Sequence, residues 1–274
     1  MSALHRFFSN PVSLVGSALF GFMVLVALLA PLLFPGDPFR IVGQPLLAPG
    51  QGYLLGTDTL GRDIAATIAY GARTSLIIGI GSAVLAVLIG LVVGGTAGYF
   101  RGSTELVLMR FTEFFQTIPA MILAILIVAV LTASLWTLTA AIAIVSWPSI
   151  ARLVRAEFAS LGGREFILAA ESLGAGNSRI VFLHLLPNSL SSIVAVGSLL
   201  VGTAILLESG LSFLGLGDPN QMSLGLMISA GRSSLRSAWW ISTFPGAAVA
   251  LTVLGINLLG DGLNDALNPK LGKS

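Results

Sequence analysis

Six long apolar stretches alternate along the chain with polar runs rich in Gly, Pro and Arg. The stretches are residues 11–34, 74–99, 105–131, 135–154, 189–207 and 241–259. A helix rises about 1.5 Å per residue, so roughly 20 apolar residues cross the hydrocarbon core of a bilayer. The pattern predicts six membrane-spanning helices. The first is too long for a signal-peptide core. It also lacks a small-x-small cleavage site before Pro31 and Pro35, so it reads as an uncleaved span, with a signal peptide as the lesser alternative.

Between the first two spans, residues 35–70 carry Pro35-Gly36-Asp37-Pro38, Pro45 and Pro49-Gly50 with no sustained period, which predicts a loop with little regular structure. Thr57 or Asp58 is the expected cap of the helix that follows. In the second span Ser82, Ala86, Gly90, Gly94 and Gly98 recur every four residues. That spacing puts five small side chains on one face, where another helix can approach closely. The third span starts with Glu105, Arg110 and Glu113 and contains Pro119. Arg110 and Glu113 stand at i, i+3 and neutralise each other near the membrane surface, while Pro119 kinks the helix. The fourth span is expected to end near Trp147-Pro148 and Arg152. After the fifth span come Glu208 and the run Ser209-Gly210 to Asp218-Pro219, whose Gly and Pro break the helix. The short apolar run there cannot cross a bilayer and is expected to pack at the pore mouth. Trp239 and Trp240 are interfacial anchors before the sixth span.

One polar stretch, residues 163–189, organises the rest. Arg164 to Leu173 is rich in Ala, Leu and Glu and reads as a short helix. Phe166, Ala170 and Leu173 share one face of it, and Gly174 follows where a helix end takes the left-handed conformation. Asn177 or Ser178 is expected to cap a second short helix, which Pro187 should end near Leu186. Two readings fit an apolar helical face outside the membrane. It packs as a connector on its own protein or on the lipid surface, or it docks in another protein's groove.

Composition places the chain in the membrane class. Of 274 residues, 55% are hydrophobic and 9% charged, against about 25% charged in soluble domains. The net charge of +2 comes from Arg and Lys in the loops and does not suggest a nucleic-acid surface. There is no cysteine, and His5 and His184 are the two histidines, so thiol chemistry and dense imidazole metal sites are excluded. With six spans, Arg6, Arg101, Arg110, Arg152, Arg155, Arg164, Arg179, Lys270 and Lys273 share one side. Arg40, Arg62, Arg73, Arg232 and Arg236 share the other. The excess predicts cytoplasmic termini and a cytoplasmic Gly163–Pro187 loop. No Gly-x-x-x-x-Gly-Lys-Ser/Thr loop is present, so any ATP hydrolysis belongs to a partner. An intramembrane hydrolase would need a buried nucleophile with a base, and neither histidine lies in a span. A secondary carrier or channel would need charged or broken helices near mid-bilayer, and the spans are nearly free of charge.

Several motifs carry a family resemblance. Ala169-Ala170, Leu173-Gly174-Ala175, Ile180, His184 and Leu186-Pro187-Asn188 resemble the "EAA" loop of ATP-binding cassette importer permeases. Leu55 to Asp63, Tyr70 to Leu76, Glu208 to Pro219 and the ending Phe244-Pro245-Gly246 to Asn268-Pro269 resemble the dipeptide, oligopeptide and nickel branch, as its second, C-type permease. One departure is visible: the position of the family's Glu falls at Leu168, and an acid stands instead at Glu171, where the family often has Arg.

The resemblance implies a type I importer transmembrane domain, all-helical, with a cytoplasmic coupling helix and an extracytoplasmic loop after the first helix. The divisions are residues 1–70, a permease domain at 71–268 and a tail at 269–274. It implies that Phe166, Ala169, Ala170, Leu173, Gly174, Ala175 and Pro187 meet an ATPase subunit. The implied partners are a second, homologous permease, two ATPase subunits holding ATP and Mg, an extracytoplasmic solute-binding protein and the lipid of a bacterial inner membrane. This chain itself is expected to hold no cofactor or metal and to be no enzyme. The implied process is alternating access by di- or oligopeptides, with nickel, a nickel chelate or glutathione as alternatives. The absence of His and Cys from the spans favours peptides.

Overall fold

A computed structural model describes residues 3–267, and among these no β-strand forms. The expected tail at 269–274, with Lys270 and Lys273, and the Asn268-Pro269 ending lie outside the described residues. Helix α1 (Ala3–Ser9) leads through Asn10 into α2 (Pro11–Leu33). The Asn10 side chain accepts the Val12 N–H at 2.9 Å, and Pro11 occupies the first turn, where its missing N–H costs nothing. After a long loop, α3 (Ile64–Phe100) runs for 37 residues. At about 1.5 Å per residue it is roughly 55 Å long and must project well beyond the hydrocarbon core.

Neither Thr57 nor Asp58 caps α3. The cap is Asp63, whose Oδ1 accepts the Ala65 N–H at 2.9 Å. Thr57 and Asp58 order the preceding loop instead. The buried Thr57 hydroxyl donates to the Gln44 carbonyl at 2.7 Å and accepts the Leu47 N–H at 2.9 Å. Asp58 Oδ1 accepts the N–H groups of Leu60 and Arg62, both at 2.8 Å. The loop therefore has a defined shape without helix or strand, and Trp240 Nε1 ties it to the bundle by donating to the Thr57 carbonyl at 3.3 Å.

Two short helices come next, α4 (Gly102–Thr117) and α5 (Ala120–Val130), bent by 84° at the Pro119 break. Proline cannot donate, so the break is larger than a kink. Helix α6 (Leu135–Leu161) continues through Pro148, beyond the expected end near Arg152. Then come α7 (Glu165–Ser172), α8 (Asn177–Arg179), a π-helical turn (Ile180–Leu185) and α9 (Leu186–Phe213). Pro187 does not end this helix. It falls in the first turn of α9, behind the wider π turn, where its ring and missing N–H are accommodated. Helix α10 (Leu224–Gly231) is a short apolar helix after the Gly- and Pro-rich break, and α11 (Trp240–Leu267) is the last helix. Among the described residues five helices are long and apolar enough to cross a membrane, or six if the bent α4–α5 pair is counted as one span.

Packing follows the small residues. Ser82, Ala86, Gly90, Gly94 and Gly98 are all buried along α3, and α6 lies against them. The Ser82 hydroxyl donates to the Thr139 carbonyl at 3.0 Å. A Cβ on Gly90 would meet Ile150 at 2.6 Å, and one on Gly98 the Arg155 carbonyl at 2.7 Å. A Cβ on Gly94 would collide with the Ala151 backbone. Helix α2 packs on α11 through Gly16 against Leu258 and Leu259, and through Gly255 against Phe20.

The fifth span is longer than the 189–207 stretch, and Glu208 lies within α9, fully buried. Its carboxylate accepts from Ser75 on α3 and from Ser212 on its own helix, each at 2.7 Å. The sequence signal for this is a lone acid with Ser at i+1 and i+4.

Candidate functional site

The polar stretch folds as a bracket at one end of the bundle. Helix α7 ends in a left-handed glycine, Gly174, at φ +78°. The Gly174 N–H reaches the Glu171 carbonyl at 2.9 Å and the Ala175 N–H the Ala170 carbonyl at 3.0 Å. This paired closure satisfies carbonyls that a helix end otherwise leaves free.

The two sides of α7 differ. Ile167 is 1% exposed and belongs to the main apolar core with Ile180 and Leu185, so it pins the helix to the bundle. Phe166 is 41% and Leu173 88% exposed, and Leu168 and Ala169 also face outward. Ala170 and Ala175 are half-buried, and Ala175 packs against the core. Gly174 and Pro187 are exposed or half-exposed. The expected set is thus brought to one end of the molecule. It is not one surface, since Pro187 stands on α9, separate from the α7 helix. A face drawn through Phe166 and Ala170 misses Ile167. Its signal is that it is the one β-branched residue of α7.

The segment after Gly174 differs from expectation. Neither Asn177 nor Ser178 serves as a cap; Gly176 holds the cap position with no side-chain bond. Asn177 Oδ1 instead accepts from the Tyr99 hydroxyl at 3.0 Å, joining the bracket to the last turn of α3. An apolar groove of about 470 Å³ lies beside this bond, lined by Val92, Gly95 and Phe158 on one side and Val181 and Phe182 on the other. Nearby, Arg101 turns the chain from α3 into α4 at φ +52° and its guanidinium donates to the Ala159 carbonyl at 2.9 Å. Arg155 of α6 pairs with Glu105 of α4. The bracket is therefore tied to α3 through Tyr99 and runs directly into α9, beside the α4–α6 contact.

The start of α2 and the last turns of α11 lie at this end of the bundle. Asn10 Nδ2 donates to Asp265 Oδ2 at 3.5 Å, and Ser198 of α9 meets Gly260 of α11 near the level of Gly16. The bracket is thus on the same side as these two helix ends.

The model of the binding-protein-dependent transport system inner membrane component matches residues 86–273. The chain belongs to that family. A second model, the N-terminal transmembrane domain of oligopeptide transport permease C, matches residues 1–49. Among curated relatives of this permease, the oligopeptide transport system permease protein OppC of Bacillus subtilis is 38% identical, covering 99% of this chain and 90% of the relative. The dipeptide transport system permease protein DppC of Alkalihalophilus pseudofirmus is 41% identical, covering 98% and 89%. The di/tripeptide transport system permease protein DppC of Pseudomonas aeruginosa is 38% identical, covering 97% and 91%. In fold, the permease matches a chain of the MetNI methionine ABC transporter, solved in an inward-facing conformation, with a TM-score of 0.63 at 20% identity. That match covers 74% of this chain and 96% of the other. The all-helical architecture is that of a type I importer transmembrane domain.

Proposed function

We propose that this chain is one of two permease subunits of an ATP-driven, binding-protein-dependent importer of di- and oligopeptides in a bacterial inner membrane. The observation that carries the reading is the α7 bracket. Its outer side leaves Phe166, Leu168 and Leu173 exposed, while Ile167 fixes its inner side to the core. An apolar surface on a rigid mount suits a partner that pushes and pulls. The partner is an ATPase subunit, which would hold ATP and Mg. Two such ATPases, a second permease and an extracytoplasmic solute-binding protein complete the machine, and the termini and bracket face the cytoplasm. ATP binding brings the ATPases together, the brackets move with them, and the path changes the side on which it is open.

The relatives' names support peptides as the solute. The test is uptake of labelled di- to pentapeptides, and separately of nickel, into proteoliposomes, with partner proteins added singly and together. Peptide uptake that needs ATP and every partner is expected. Uptake by this subunit alone would point to a carrier, and nickel-only uptake by the full complex would refute the peptide reading.

A further inference from the structure

The α4–α5 joint leaves backbone unpaired inside the bilayer. Below it, the Phe115 ring packs edge-on against Trp147 at 5.5 Å. Trp147 stands in α6 between Thr139, bonded by Ser82, and Ile150, which abuts Gly90. Above it, Met121 reaches Gly210, close to Glu208 and hence to Ser75. The joint therefore sits between the levels of Ser75 and Gly90 on α3. The outer end of that span is set by the Tyr70 hydroxyl, which donates to the Phe34 carbonyl at the end of α2. At this depth the N–H groups of Ile118, Ala120, Met121 and Ile122 and the carbonyls of Gln116 and Thr117 find no partner among the described residues.

Unpaired, irregular backbone is not tolerated against lipid. It persists at membrane depth where it is buried in protein or lines water. A second observation selects water. Arg110 and Glu113, ion-paired at 3.1 Å with side chains 74% and 57% exposed, form a stripe with Gln116 and Thr117, which are also exposed. The spacing i, i+3, i+6, i+7 keeps these groups on one face of α4. Arg110 and Glu113 satisfy each other, but the exposed Gln116 amide has no hydrogen-bond partner among the described residues, and such a group in a spanning segment faces an aqueous cavity. The stripe runs from the bracket end of the molecule up to the joint.

We propose that this joint is part of the wall of the translocation path, and that Gln116, Thr117 and the free backbone groups of 118–122 contact the amide groups of a passing peptide. Backbone donors and acceptors together match a solute whose amides are constant while its side chains vary. The contact, though not the water access, rests on the peptide-import reading.

The natural chain lacks cysteine, so Gln116→Cys and Thr117→Cys each give a single thiol in the complete importer. The probe is a membrane-impermeant, positively charged methanethiosulfonate in proteoliposomes, without nucleotide and with a non-hydrolysable ATP analogue. Leu28→Cys, on the apolar outer face of α2, is the lipid-side control. Both joint positions should react about tenfold or more faster than position 28 in at least one state. Dialanine with the binding protein should slow them. Reaction at the control rate in both states overturns the proposal, and so does fast reaction that dialanine leaves unchanged. Labelling without peptide reads water access whatever the cargo, so a failed peptide reading would not be mistaken for a closed wall. Ile118→Cys repeats the test at the same level should either variant not assemble.

Discussion

The Ser75 hydroxyl donates a 2.7 Å hydrogen bond to the fully buried Glu208 carboxylate, joining two spans 133 residues apart in sequence. Ser212 donates to the other oxygen at 2.7 Å. A buried carboxylate loses its hydration and needs such donors. Glu208→Leu leaves both hydroxyls without their acceptor and should cost about 1–3 kcal/mol. Glu208→Gln keeps an acceptor oxygen and should cost less. Thermal unfolding of the two purified variants beside wild type checks the order; equal midpoints for Glu208→Leu and wild type would rule out the joint as a stabilising element.

The α3–α6 contact is set by backbone proximity at Gly94, where a Cβ would collide with the Ala151 backbone. Gly94→Val should lower stability by at least about 1–3 kcal/mol through overpacking. Gly21 is the internal control, because a Cβ added there meets nothing within 4 Å. Gly21→Ala should be neutral or slightly stabilising. Detergent-solubilised yield and melting temperature provide the comparison.

Within the bracket, adjacent faces should separate stability from coupling. Leu173→Asp alters a residue that is 88% exposed, so the isolated subunit should melt as wild type does. Binding of the ATPase subunit should weaken, with peptide uptake falling in step. Ile167→Asp buries a charge in the core and should destabilise the subunit itself by several kcal/mol. Full ATPase binding and uptake by Leu173→Asp would remove the outer face from the interface.

Gly174 gives a sharper test of the same bracket. At φ +78° a β-branched side chain is strained by on the order of 1 kcal/mol or more. Gly174→Val should therefore loosen the link between ATP hydrolysis and uptake, raising the ATP consumed per peptide imported. Gly174→Asn, which tolerates this conformation better, should fall between.

Topology is open to direct labelling. Ser172 is half-exposed or more on α7, while Gln51 and Leu54 are exposed in the long loop. Ser172→Cys should resist an impermeant maleimide in intact cells and react after lysis, and Gln51→Cys should react in intact cells. Thr57 and Ser223 are unsuitable probes because both are buried. Reaction of Ser172→Cys in intact cells would invert the orientation.

The spans were legible because membrane burial imposes one chemistry over about 20 residues, and the Ser82–Gly98 ladder announces its own contact face. Gly174 was equally readable, since a short helix followed by glycine specifies its backbone. Helix ends were not. Asp63 took the capping role that Thr57 or Asp58 had offered, because Thr57 is held by Gln44 and Leu47 from elsewhere in the loop. Pro187 looked like a terminator, yet a π turn ahead of it absorbs the mismatch, and no local pattern encodes that turn. The burial of Glu208 depends on Ser75, a partner that lies far away in sequence.

Helix α3 has no interior proline and no break over its 37 residues. Its first turns touch the long 34–63 loop, and its last turn holds the bracket through Tyr99 and Asn177. It is a rigid lever with no joint of its own. Because the rod lies on α6 along the whole Ser82–Gly98 ladder, a push delivered at Asn177 is passed to α6 as well, and the two helices respond as one body. The 84° bend belongs to the α4–α5 pair that follows, so a straight rod and a broken one stand side by side in the chain.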